Sequence, residues 1–339
     1  MKSNYLKILL MLTLVLTIIS GVSFAEDMEF GILVCNMSHS FFVDLIQGAE
    51  DAGAELGVEI VTYDAQDDPA QQVRQVEDSV VLGFDAIILN PTDVDAMVPA
   101  VRQALNSDVL VLTVDRDVRN VGQLAYIGTN NVVAAKAGAE KMVELLETSG
   151  KAKPWQVVVL DGTPGASAAI ERGDGFMEVI DPLADTGDVE ITAKLSANFD
   201  RSQGLNVMQD ILATADRVDA VIAANDEMAL GAVTAIKEAG LEIGYPDGTI
   251  VVGFDAIGDA FESIRREEMD ATVAQAPYLM GYWGVHAAYA NIVEGWNPPA
   301  DTPIYGPTES LHLGTDSLII TTENVDEAEE LILEPKPLP

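Results

Sequence analysis

A chain of 339 residues with 48% apolar content is long enough for two domains with full cores and too apolar to be disordered. Its 55 acidic residues against 18 basic ones give a formal charge of −37, which argues against nucleic acid and anionic membrane surfaces as partners. A single cysteine, Cys35, excludes an internal disulfide framework, so the core alone must hold the fold.

The chain opens with basic "MKSNYLK", a short apolar run "ILLMLTLVLTII" and a small-x-small site at Ser23 and Ala25. This pattern predicts a cleaved signal peptide over residues 1–25 and export, the apolar run being short for a spanning anchor. Its removal takes away Lys2 and Lys7 and no acid, so the exported chain is more acidic still. No cysteine follows the cleavage site, so no lipid anchor is expected there.

From Glu29 onward, short β-branched runs alternate with helical patterns. Strand "FGILVC" leads to helix "FVDLIQGAEDAGAEL", strand "VEIVTY" to "PAQQVRQVEDSVVLG", and strand "DAIILN" to "DVDAMVPAVRQALN" before "VLVLTV". Helix "NNVVAAKAGAEKMVELLETSG", with an Asn cap and a Gly stop, begins a second series: "WQVVVL", "VEITAKL", "DAVIAA" and "TIVVGF" alternate with three more helices. After "ATVAQAP" comes helix "YLMGYWGVHAAYANIVEG", then the loop "WNPPADTPIYGP", and the tail reads as one strand and a helix capped by Asn324. Continuous apolar strands between amphipathic helices predict two α/β, doubly wound parallel-sheet lobes.

In such sheets ligands bind beyond the carboxyl ends of the strands. The residues there are His39 with adjacent Phe41 and Phe42, then Asp115 and Arg116, then Thr129, Asn130 and Asn131. In the second series they are Asn225 with Asp226, Asp255 and Gln275, and Arg172 lies one face into its helix. Two adjacent phenylalanines cannot both follow a helix core stripe, so at least one ring should face the strand ends. Planar amides, carboxylates and guanidinium groups suit a sugar or polyol, whose hydroxyls donate and accept, while rings cover its CH-rich faces. Phe41 and Phe42 are expected to form one wall of a slot and Phe199 the other.

These residues carry a resemblance. The segments "FFVDL", "LNPTD", "VDRD", "SAAIERGDGF", "FDR", "GLNVMQ", "NDEMALGA", "VVGFD" and "ATVAQ" occur in the order found in the ribose-type periplasmic sugar-binding proteins of ABC importers, and the chain resembles that family over nearly all of its exported length. The resemblance implies the type I periplasmic binding protein fold, two lobes joined by three crossing strands. Residues 26–129 with 276–315 would form lobe one, and 130–275 with 316–339 lobe two. It implies stacking rings at Phe41, Phe42 and Phe199, and hydrogen-bonding residues at Asp115, Arg116, Asn131, Arg172, Asn225, Asp255 and Gln275. It also implies a monomer that delivers a small neutral sugar or sugar alcohol to a membrane permease. Where ribose binders of the family have "NNPFF", this chain has "SHSFF", so His39 replaces a sugar-bonding Asn and leaves open ribose, a related pentose, a hexose or a sugar alcohol.

Plainer readings stand beside these. Asp115 and Asp255 are placed to cap helices, Arg172 to pair with Glu171 or Asp174, and Phe199 to fill core. Cys35 near His39 is read as a buried small hydrophobe and not as a nucleophile. His286 and His312 lack partners at metal spacing, and the turn Asp161 to Gly165 lacks the Lys-Ser/Thr ending of a phosphate loop, so neither metal nor cofactor is expected. Rival functions are a sensor that presents a furanone-type signal or a sugar to a chemoreceptor, a repressor core, and a sugar-processing enzyme using Asp115 or Asp255 as base. The leader and the acidic charge disfavour the repressor.

Overall fold

A computed structural model describes residues 28–305, 308–315 and 317–332; the expected signal peptide lies outside the described residues. Two sheets organise the chain. The first is built from β1 (Glu29–Val34), β2 (Glu59–Asp64), β3 (Ala86–Leu89), β4 (Leu110–Val114), β5 (Tyr126–Thr129), β11 (Ile304–Tyr305) and β12 (Ser310–Thr315), in the spatial order 11-12-5-4-3-1-2. The second contains β6 (Trp155–Asp161), β7 (Val189–Ser196), β8 (Ala220–Ala223), β9 (Ile250–Asp255), β10 (Ala271–Ala274) and β13 (Leu318–Ile320), in the order 13-10-9-8-6-7.

Both sheets share one winding. Their first five strands run in the order 2-1-3-4-5 of each unit and are parallel throughout. They differ in the sixth strand: β12 joins β5 in parallel, whereas β13 joins β10 antiparallel. In this order the chain reverses direction beside the first strand of each unit, opening a crevice at the carboxyl ends there.

Ten helices cover the sheets among the described residues. In the first lobe, α1 (Ser40–Leu56) and α9 (Pro277–Glu294) share one apolar core, and α2 (Pro69–Leu82) and α3 (Val98–Asn106) contribute to a second. Helices α1 and α9 cross closely because Gly48 and Gly281 meet the other helix's backbone, where any Cβ would strike a carbonyl. In the second lobe, α4 (Asn131–Ser149) packs on α5 (Ser167–Asp185) and α6 (Arg201–Leu212) on α7 (Asp226–Glu238). Helices α8 (Gly258–Arg265) and α10 (Val325–Ile332) complete it, and one continuous core runs through the lobe.

The chain passes between the sheets three times: after β5, after β10 and between β12 and β13. Thr129 and Thr315, on two of these crossings, are joined hydroxyl to hydroxyl at 3.2 Å.

Several local expectations are met and others are corrected. Asn130 caps α4 through its side chain, which accepts from the Val133 N–H, and Gly150 ends the helix in the left-handed region. Helix α3 starts at Val98, not Asp93, because the Asp93 carboxylate takes the amides of Asp95 and Ala96 into a turn. Asn324 precedes α10, but its side chain accepts from Thr321 N–H and donates to the Ile319 carbonyl, leaving the helix end uncapped by it. Strand β11 lies inside the segment expected to be a loop, paired antiparallel with β12.

Candidate functional site

Both crevices open toward each other, and the side chains at the strand ends meet between the lobes. From the first lobe come His39, Ser40, Phe41 and Phe42 at the start of α1, and Asp115 and Arg116 after β4. From the second come Arg172 on α5, Phe199 before α6, Asn225 and Glu227 at the start of α7, and Asp255 at the end of β9. They line a cavity of about 410 Å³, part of it open to solvent.

The two adjacent phenylalanines both face this cavity. Their rings meet edge to face at 5.3 Å, possible because they occupy the first turn of α1, whose end points into the cleft. Opposite them, Phe199 sits at φ 59° and its ring lies against Gly162, where a Cβ would collide with the ring. The turn read as a failed phosphate loop therefore seats an aromatic wall. Asn225 serves two ends: its carbonyl oxygen caps α7 by accepting from Met228 N–H, and its amide donates to the Phe199 carbonyl at 3.1 Å. That bond fixes the loop carrying the ring.

Arg172, 3% exposed, makes its hydrogen bonds within the second lobe, while its Nη2 lies 4.0 Å from Asp115 across the cleft. Its Nε donates to Asn131 Oδ1 at 2.9 Å, and its Nη1 to the Ala224 carbonyl at 2.7 Å and to Asp255 Oδ1 at 3.1 Å. The guanidinium lies 3.9 Å from the centre of the Phe254 ring. It is neither a solvated ion pair with Asp174 nor a partner of Glu171, whose carboxylate instead accepts from Asn131 at 3.0 Å. Asn131 therefore does not line the cavity; it orients Arg172 from behind. Gln275 also stands back, donating to Asp255 Oδ1 at 2.7 Å.

Arg116 is built differently. It is 5% exposed, with its guanidinium carbon 5.0 Å from the Phe199 ring centre and 5.7 Å from that of Phe42. Its Nη1 is buried with no hydrogen-bond partner among the described residues. Asp115 beside it is not a helix cap: it accepts from Asn90 at 2.8 Å and lies 3.9 Å from Arg116 and 4.0 Å from Arg172.

Burial dominates the charges here. It raises the Asp115 carboxyl against the opposing pull of both arginines and Asn90. It pushes Asp255 up to about 7 despite Arg172, and Glu171 up to about 7 despite the Asn131 bond. His39, whose ring meets Phe42 edge-on, is lowered by burial, with Glu227 pulling the other way. Cys35 is buried and its thiol is pushed up to about 12, which makes it inert as a nucleophile. His312 is buried and hydrogen-bonded to the Gly128 carbonyl, a structural role.

The residues reasoned from sequence thus gather as His39, Phe41, Phe42, Asp115, Arg116, Arg172, Phe199, Asn225 and Asp255 around one cavity, with Asn131 and Gln275 behind it. Ser40, Ala168, Glu227 and Ile257 were missed on the walls, as was Phe254 under Arg172. Ser40 and Glu227 are each the near neighbour of a strand-end residue, the signal that could have found them.

Two doubly wound lobes joined by three crossings, with their strand ends facing a polar and aromatic cleft, define a type I periplasmic binding protein. Residues 30–295 match the family described as periplasmic binding protein domain, and the chain belongs to that family, among its ribose-type sugar-binding members. It is 34% identical over 286 residues to the ribose import binding protein of Haemophilus influenzae, covering 84% of this chain and 92% of that protein. With the ribose import binding protein of Bacillus subtilis it shares 36% over 263 residues, 78% of this chain and 81% of that one. A crystal structure of the Caulobacter myo-inositol binding protein bound to myo-inositol superimposes with a TM-score of 0.78 at 30% identity, over 92% of this chain and 99% of that one. These relatives are sugar-binding transport proteins and not enzymes. Among the described residues no helix is long and apolar enough to cross a membrane.

Proposed function

We propose that this chain is an exported receptor that closes on one neutral monosaccharide or polyol and hands it to the permease of an ABC importer. The observation that carries the reading is Arg116: a buried cation beside two aromatic rings, with one donor lacking any partner among the described residues. A buried guanidinium nitrogen left unpaired is costly, and a ligand hydroxyl accepting from it relieves that cost. Asp115 offers an acceptor next to that donor, so a hydroxyl can satisfy both, and the rings of Phe42 and Phe199 suit the CH faces of the same molecule.

Nearly all the residues around the cavity are buried between the lobes, so a sugar enters only when the lobes part. Because its contacts come from both lobes, the ligand favours the closed state by differential interaction, and the three crossings serve as the hinge. The closed surface is then the signal that a permease reads. Sheet membership supports lobe one as residues 26–129 with 276–315 and lobe two as 130–275 with 316–339. The cleaved leader of residues 1–25 supplies export, and the receptor acts as a monomer. His39 selects among sugars at the rim, as an imidazole is bulkier than an amide and offers one donor and one acceptor when neutral.

The test is a thermal-shift screen of the chain from Glu26 onward against pentoses, hexoses, sugar alcohols and furanones. Binding to the native state alone raises the melting temperature with ligand concentration. One related group of sugars or polyols giving a large rise supports the reading, and recovery of that sugar unchanged after long incubation rejects the enzyme. A well-folded protein with no shift from any carbohydrate overturns it.

A further inference from the structure

Beside the cavity the two lobes bond to each other directly. The backbone N–H of Asp117, in the turn after β4, donates to Ser167 Oγ at 2.8 Å, and the Val94 N–H donates to the Gly165 carbonyl at 2.9 Å. Asp117 and Val94 belong to the first lobe, whereas Ser167 opens α5 of the second and Gly165 lies just before it. Asp117 and Ser167 are 1% and 2% exposed, so their bond is shut off from water. Gly165 permits the close approach: at φ 89° it stands where a Cβ would strike the Asp93 carboxylate.

The N–H that Ser167 takes belongs to the peptide unit joining Arg116 to Asp117, so the bond holds the backbone of the residue that faces the ligand. That turn needs holding. Asp115 sits at φ 59°, and the Arg116 N–H reaches back to the Val114 carbonyl at 2.6 Å. A left-handed residue with a side chain is unfavourable and persists only where its surroundings over-determine it. The first lobe supplies part of this. The Asp117 carboxylate accepts from Thr113 Oγ1 at 2.6 Å and from the Gln123 amide at 3.3 Å, and the Tyr126 hydroxyl donates to the Asp115 carbonyl at 2.9 Å. The second lobe supplies the rest through Ser167, and that restraint is lost when the lobes part. The other bond bears on the same turn, because the Val94 carbonyl accepts from the Arg119 N–H at 3.0 Å.

We propose that Ser167 is a positioning residue for sugar binding: on closure it accepts from Asp117 N–H and fixes the Arg116 turn from the opposite lobe, so the guanidinium is set for the ligand only in the closed state. The inference rests on the sugar-binding reading of the cleft and goes beyond it, since Ser167 acts through Arg116 and does not line the cavity. Closure and ligand contact are thereby coupled through the protein's own backbone as well as through the sugar.

The experiment titrates the sugar giving the largest thermal shift into the parent chain, Ser167→Ala, Arg116→Ala and the double variant. Loss of one buried hydrogen bond made only on closure should weaken binding to Ser167→Ala by about threefold to tenfold, with unfolding in urea without sugar little changed. In the Arg116→Ala background the same substitution should cost less than about twofold, because no guanidinium is left to position. If Ser167→Ala binds as tightly as the parent, or costs the same factor with and without Arg116, the positioning role is refuted while the cleft reading stands. If the parent binds no sugar, the cleft reading fails and the positioning role falls with it.

Discussion

The two walls of the cleft each present a buried arginine, and the walls are built in opposite ways. On the second lobe, Arg172 is held by Asn131, the Ala224 carbonyl and Asp255 over the Phe254 ring. On the first lobe, Arg116 faces two rings and keeps a donor with no partner among the described residues. The difference separates two jobs that look alike in sequence. Arg172 is a strut that positions Asp255 and the lobe's own backbone, whereas Arg116 is a contact that only a ligand completes.

The comparison breaks first at Arg172. Arg172→Ala leaves Asp255 and Asn131 buried without their partner, so it should cost about 3–5 kcal/mol of stability in urea unfolding and abolish measurable sugar binding. A variant as stable as the parent would show that Arg172 is no strut. Arg116→Ala should weaken binding at least tenfold while shifting unliganded stability by about 1 kcal/mol or less, because it removes a group whose bonds are not complete. Phe199→Leu should cost about tenfold in affinity, keeping bulk but losing the flat face; equal affinity by calorimetry would take the ring out of the site.

A pH experiment sharpens the comparison behind the strut. Glu171 is raised from 4.5 to about 7 by burial, so the folded state favours its protonated form. The stability this provides is complete below about pH 4.5 and is lost as pH rises through about 7. Glu171→Gln should therefore remove that loss, raising the melting temperature at pH 8 by several degrees and changing it little at pH 4.5. An identical offset at both pH values would count against this account.

The smallest effect belongs to His39. Burial lowers its pKa, so it is neutral at pH 7 and gains charge only below about 6.5. Beside any change near pH 7 from Asp255, whose carboxyl lines the same cavity, sugar affinity should change further below that pH. In His39→Asn the change below pH 6.5 should disappear; if it persists, another group is responsible.

Much of this was readable before any coordinates. Apolar strands alternating with capped helices specified two wound units, and the strand-end rule selected more than half of the residues around the cavity. What sequence did not reveal was direction. Asn131 and Gln275 follow strands as the others do, yet turn toward Arg172 and Asp255 and not into the cavity. A strand-end position fixes where a side chain starts, and its neighbours' unmet hydrogen bonds decide where it goes. Phe254 escaped notice because a strand residue inside an apolar run looks like core, and only the fold sets Arg172 upon it. Strand β11 was hidden because two residues in a proline-rich segment carry no period.

The central claim, that Arg116 is the open half of a two-lobed sugar clamp, is tested most directly by one calorimetric comparison. The chain from Glu26 onward and its Arg116→Ala variant are titrated with the sugar giving the largest thermal shift, and both are unfolded in urea without sugar. The expected result is one site per chain, an affinity at least tenfold weaker in the variant, and near-equal stability without ligand. Equal affinity in the two proteins, or a variant that loses stability as Arg172→Ala does, would contradict the account.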